Sequence, residues 1–107
     1  MFNKKKINED DLKLLHLVHN NPEISQRIIA KKMGFSLGKV NYCIKALTEI
    51  GFIKLQNFSQ SDQKIGYLYV LTPKGIKEKT ILTKQFLKIK QSEYEKLYNY
   101  FNEQQSP

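Results

Sequence analysis

The chain has 107 residues, 40% of them hydrophobic, with 18 basic against 10 acidic side chains and a net charge of +8. That length holds one domain with an extension, and the composition is that of a globular chain, excluding fibrous and membrane-spanning classes. Without an apolar run of 18 residues or a signal-like segment after Met1, it is expected in the cytoplasm with no membrane partner, and its single cysteine, Cys43, rules out an internal disulfide or a multi-cysteine zinc site.

The positive charge suits a polyanionic partner. All but one of the basic residues are Lys, Arg27 being the exception, a bias that AT-rich coding also produces. Position is therefore more telling than total. Residues 23–54 hold six basic side chains and two acidic ones.

Residues 1–7, with Lys4-Lys5-Lys6, read as a flexible tail. A helix then starts at Asn8, which can cap it, while Glu9, Asp10 and Asp11 sit where the helix dipole favours negative charge and Ile7 can staple onto Leu12. It runs to about Asn20, turning Leu12, Leu15 and Val18 inward, until Asn20-Asn21-Pro22 stops it. His16 and His19 lie three apart, but no third ligand beside them completes a metal site, so no metal or other cofactor is expected.

Ser25 caps a second helix with Ile24 stapling onto Ile29, and Ile29, Ala30 and Met33 form its buried side. Gln26 and Arg27 lie at its exposed start, where free N–H groups attract phosphate. Gly34 supplies the left-handed turn that lets a third helix cross the second. That third helix, over residues 36–50, packs Val40, Ile44 and Leu47 inward, with Cys43 and Ala46 beside the stripe. Cys43 is therefore read as a small hydrophobe and not as a thiol sensor. The outer face holds Ser36, Gly38, Lys39, Asn41, Tyr42 and Lys45, with no acid before Glu49. Asn can pair bidentately with adenine, Lys with guanine or phosphate, and Tyr with phosphate or a thymine methyl. Gly38 costs a helix about 1 kcal/mol against Ala, which close approach to DNA would explain.

Gly51 ends this helix, and strands follow over residues 52–58 and 65–71. Alternation through Ile53, Leu55 and Asn57, and through Tyr67, Tyr69 and Leu71, fits a hairpin with one wetter face. Its polar tip over residues 59–64 offers Lys64 to a minor groove or phosphate. Thr72 then caps a long helix with Pro73 in its first turn, running over residues 73–103 before a flexible end at 104–107. About 30 residues make a rod of roughly 45 Å. Its apolar rows, with Leu82, Phe86, Ile89, Tyr94, Leu97 and Phe101, are too long for a small domain to cover, so they are assigned to a dimer interface. The expected fold is mainly α with a small β-hairpin wing (α+β): a winged helix-turn-helix over residues 8–72 and a long C-terminal dimerisation helix.

Ile24-Ser25-Gln26-Arg27 with Ala30-Lys31-Lys32-Met33-Gly34, then Leu47 and Gly51-Phe52-Ile53, resembles the winged-helix core of MarR-type regulators. Asp62-Gln63-Lys64 is similar to that family's wing tip, with Lys64 where an Arg is usual, and Leu71-Thr72-Pro73-Lys74-Gly75 to the start of its dimerisation helix. Ser36-Leu37-Gly38-Lys39-Val40-Asn41-Tyr42-Cys43 and Gly66-Tyr67-Leu68-Tyr69 resemble the small bacterial MarR group associated with extracellular polysaccharide loci. The resemblance implies a homodimer that binds an inverted repeat in double-stranded DNA, with Ser36, Gly38, Lys39, Asn41 and Tyr42 in the major groove and the wing at the minor groove. It implies a regulator, read as a repressor that blocks sterically, and leaves the effector unspecified.

The competing class is a winged-helix module that binds another protein. The basic, acid-poor outer face of the third helix argues against it. An enzyme is not expected: no Ser-His-Asp arrangement, carboxylate pair in a cleft, Gly-rich phosphate loop or metal cluster is visible.

Overall fold

Four helices and one hairpin follow one another as α1 (Glu9–Asn20), α2 (Gln26–Met33), α3 (Leu37–Glu49), β1 (Ile53–Ser61), β2 (Lys64–Leu71) and α4 (Pro73–Gln105). The structure is a computed structural model that describes residues 6–61 and 64–105. Most of the expected tail, the wing-tip pair Asp62-Gln63 and the last two residues lie outside that range.

Local side chains set the helix starts. Asn8 and Asp11 form a reciprocal capping box, Asn8 Oδ1 accepting from Asp11 N at 2.8 Å and Asp11 Oδ2 from Asn8 N at 3.1 Å. Ser25 Oγ accepts from Ile28 N and Ser36 Oγ from Lys39 N. Gly34 closes α2 in the left-handed region at φ 71°. From these three helices come Leu14, Leu15, Val18, Ile29, Val40, Ile44 and Leu47, which build the core with Phe52, Ile53 and Leu71 from the hairpin base. Ile7, expected in the tail, is half-buried against this core; its apolar side chain is too close to the fold to stay free.

The hairpin is antiparallel, with Ile53 opposite Leu71, Leu55 opposite Tyr69 and Asn57 opposite Tyr67. Burial grades along its length: Ile53 and Leu71 are covered, whereas Leu55 and Tyr67 are exposed. The strands reach Ser61 and Lys64, with a register shift near Ser59, so the six-residue polar tip expected from the sequence is mostly paired strand. Strand pairing is a backbone ladder, so polar residues such as Ser59 and Gln60 do not interrupt it.

α4 is rooted on the hairpin base. Thr72 Oγ1 accepts from Gly75 N at 3.0 Å and donates to Gly51 O, and Lys74 Nζ donates to Ile50 O at the end of α3. Gly75 lies flat on Phe52, whose carbonyl a Cβ there would overlap. Farther along, Thr83 Oγ1 donates its hydrogen bond to Lys79 O, so His16 Nε2, 3.1 Å away, is the donor to that hydroxyl. Lys90 reaches Glu9 at 3.0 Å, a pairing that holds the Glu9 carboxyl below and the Lys90 ammonium above its ordinary range. Residues 87–105 are exposed throughout. The helix continues to Gln105, two residues past the expected end. At 33 residues it is about 50 Å long. It stretches the molecule to 72 Å and its radius of gyration to 18.1 Å, against about 13 Å for a compact chain of this size. Among the described residues, no helix is long and apolar enough to cross a membrane.

Candidate nucleic-acid interface

The outer face of α3 is open along its length. Ser36, Gly38, Lys39, Asn41, Tyr42 and Lys45 are all exposed, Tyr42 at 69%. The opposite side of the same helix is seated in the core through Val40, Cys43, Ile44 and Leu47. A Cβ added at Gly38 would meet nothing within 4 Å, so packing within the chain does not demand glycine there. Cys43 is buried, as its place beside the apolar stripe implied.

Several of these side chains are engaged with the rest of the chain. Lys39 Nζ lies 3.8 Å from the centre of the Phe35 ring and 4.0 Å from Asp10 Oδ2, so it leans back toward the start of α1. Both partners in that ion pair are half exposed, which keeps the pairing within about 0–1 kcal/mol and lets the ammonium swing outward. Asn41 Nδ2 donates to Gln26 Oε1 at 3.4 Å. Ser36 Oγ already serves as a cap, which leaves its hydroxyl proton to donate.

At the start of α2, Arg27 is exposed but Gln26 is not. Its position at the start of α2 predicts an exposed Gln26 beside phosphate-attracting N–H groups. It is half-buried, and its Nε2 donates to the Tyr69 hydroxyl of β2 at 3.1 Å. The reason is tertiary: β2 lies against the α1–α2 turn, where Tyr69 N donates to Pro22 O at 2.9 Å, and this brings the phenol over Gln26. Spacing along α2 gives no sign of a strand partner 43 residues away. Lys64 belongs to the first residue of β2, and its side chain lies outside what the structure describes.

The residues assigned to a dimer interface divide into two sets. Leu82 and Phe86 are half-buried on the part of α4 that meets α1, whereas Ile89, Tyr94, Leu97 and Phe101 stand in solvent, Leu97 at 69% exposure. Tyr94 and Tyr98 stack with ring centres 6.0 Å apart, and Tyr100 is also exposed. Among the described residues, no group of three His, Cys, Asp or Glu side chains converges on a metal position.

Three core helices, a helix with one face buried and one open, and an antiparallel ribbon beside it define a winged helix-turn-helix fold. Residues 7–54 match the family model described as winged helix-turn-helix DNA-binding. No curated protein matches the sequence. Among solved structures the chain is similar to the transcriptional regulator SlyA, at 28% identity and TM-score 0.65 over 79% of this chain and 58% of that one. It is similar to the zinc-responsive MarR family member ZitR of Lactococcus lactis, at 22% identity and TM-score 0.65 over 89% and 63%. FabT of Streptococcus pneumoniae, solved in complex with DNA, shares 20% identity and TM-score 0.63 over 87% and 63%. The chain thus spans less than two thirds of the length of these structures.

Proposed function

We propose that the chain is a cytoplasmic, MarR-type transcriptional regulator that binds a specific inverted repeat in double-stranded DNA as a homodimer and represses by blocking access. The observation that carries this reading is the fully open, acid-free start of α3, anchored from behind by four buried side chains and flanked by the wing. Asn41, Lys39 and Tyr42 are suited to base edges, and Ser36, Arg27 and Lys45 to phosphate. Lys64 would extend the contact to a minor groove. The fold shared with FabT, which has been solved on DNA, supports the same use of these elements. The resemblance of residues 36–43 and 66–69 to regulators of extracellular polysaccharide loci favours exopolysaccharide genes as targets.

Dimerisation is supported by the apolar end of α4, with Leu97 and Phe101 at its centre. Two α3 helices related by a two-fold axis meet half-sites whose centres are about 10 bp, or a multiple, apart.

The test is selection of bound duplexes from a random library with the full-length chain. A palindrome with that spacing is expected, bound less tightly as salt rises. Lys39→Ala and Asn41→Ala should each lower affinity by about 1–3 kcal/mol and relax preference at particular base pairs. A library that yields no preferred sequence would overturn the reading and turn attention to a protein-binding module; a palindrome indifferent to both substitutions would remove α3 as the reader.

A further inference from the structure

We infer that Gln26 and Tyr69 are positioning residues for sequence recognition, holding the Asn41 carboxamide ready for a base through a side-chain relay from the wing to α3. The inference rests on the DNA-binding reading above and names the part of the fold that sets its specificity. The relay has three members on three elements. Tyr69 on β2 is fixed at its backbone by the bond to Pro22 O at 2.9 Å. Its hydroxyl lies 3.1 Å from Gln26 Nε2 on α2, and Gln26 Oε1 lies 3.4 Å from Asn41 Nδ2 on α3. Exposure falls from Asn41 inward: Asn41 is open, while Gln26 and Tyr69 are half-buried. The outermost member is thus tied to Gln26, which Tyr69 in turn holds.

A free Asn on a helix surface turns about two side-chain bonds, and docking on a base must freeze both. Fixing them beforehand removes that ordering cost from the correct complex. The chemistry of the contact is preserved. A carboxamide has two N–H protons and a carbonyl with two lone pairs. One bond to Gln26 leaves a second N–H and carbonyl capacity, which is the donor–acceptor pair that reads adenine. Because a phenol both donates and accepts, the relay persists if the two amides turn over together. Gln26 thereby acts on a base through Asn41, where a phosphate contact of its own would strengthen binding to every sequence alike.

The experiment uses the full-length chain and, as probe, the duplex that wins selection from a random library, together with each of its single base-pair substitutions. Asn41→Ala is expected to flatten preference at one base pair of each half-site. Gln26→Ala and Tyr69→Phe should each reduce preference at that same base pair by about two- to tenfold. Gln26→Ala should add no further loss when Asn41 is already Ala. Tyr69→Phe keeps the ring and its packing, so it decides the matter if Gln26→Ala lowers helicity. Equal weakening on all duplexes, loss at a different base pair, or additive losses in the double variant would overturn the relay while leaving DNA recognition intact. A wild-type chain that prefers no duplex would instead overturn the reading on which the relay stands.

Discussion

The outer face of α3 and the far end of α4 are both left in solvent, yet they are made of opposite materials. On α3 the open side chains are mostly small, polar or basic, with Leu37 and Tyr42 the large ones among them, and water solvates the polar majority at little penalty. On residues 87–105 they include Leu87, Ile89, Tyr94, Leu97, Tyr98, Tyr100 and Phe101. Each large apolar side chain kept from burial forgoes roughly 1.5–3 kcal/mol. The first surface loses little by staying in water; the second would gain from being covered. The same helix supplies its own control, because its first half, at Leu82 and Phe86, is half-buried where α4 meets α1. The apolar pattern outruns the domain that could cover it, and the dimer proposed above would cover it with a second copy of the chain.

Breaking the apolar end should have the largest effect. Leu97→Glu with Phe101→Glu is expected to convert a dimer to a monomer in sedimentation equilibrium and to reduce helicity, since a projecting helix without tertiary cover is marginal in water. Affinity for a two-half-site duplex should fall by about 10²- to 10⁴-fold, because the second α3 no longer binds as part of the same particle. Unchanged association in the double variant would end the assignment of this surface.

The root of α4 is the next point to attack. Gly75→Ala places a methyl group into the Phe52 carbonyl. Overpacking of this kind costs about 1–3 kcal/mol. A lower urea midpoint is expected, without change in base preference, since Gly75 packs on Phe52 at the hairpin base. An undisturbed midpoint would mean that α4 can lift from the hairpin base freely.

Gly38→Ala sharpens the contrast by separating stability from recognition. The space around position 38 is empty and the residue is within a helix, so Ala should stabilise the free protein by about 1 kcal/mol. Affinity for the selected duplex should move the other way if the DNA approaches this backbone closely. A variant that gains in both thermal midpoint and DNA affinity would show that the glycine has no part in the contact.

Much of this architecture is legible in the chain because its signals are local. Asn8, Ser25, Ser36 and Thr72 each announce a helix through bonds to residues three positions on, and Gly34 announces a turn. The buried stripe of α3 follows from its 3.6-residue period, and its open face follows by subtraction. What sequence reasoning missed is what distant segments do to one another. Gln26 reads as a surface residue until β2 brings Tyr69 over it, and nothing in the local pattern signals that exposed Lys39 meets Asp10 of α1 and the Phe35 ring of the α2–α3 turn. Gly75 has no turn to explain it; only the approach of Phe52 does. The wing's polar end gave a turn signal where the backbone forms a ladder.

The smallest expected effect lies at the joint between the covered part of α4 and α1. Burial first, then the charges of Lys79 and His19, push the His16 imidazolium below its usual range, so the fold favours the neutral ring whose Nε2–H meets Thr83. Between that depressed value and 6.5, the ordinary value, the unfolded chain holds more protons than the folded one. Stability is therefore complete above about 6.5 and declines as pH falls through that window. One whole proton would give about 1.4 kcal/mol per pH unit, and partial solvent exposure of the ring leaves only a fraction of it. Urea midpoints measured at pH 7.5 and 5.5 should differ more in the wild type than in His16→Gln, which can still donate to Thr83 but does not titrate. Glu9 does not confuse the comparison: its carboxyl is depressed, so its ion pair with Lys90 is intact above about 4.5 and weakens only in more acidic solution. Equal pH responses in the two proteins would place the sensitivity elsewhere and leave the α1–α4 joint indifferent to protons, its strength resting on packing at Leu82 and Phe86.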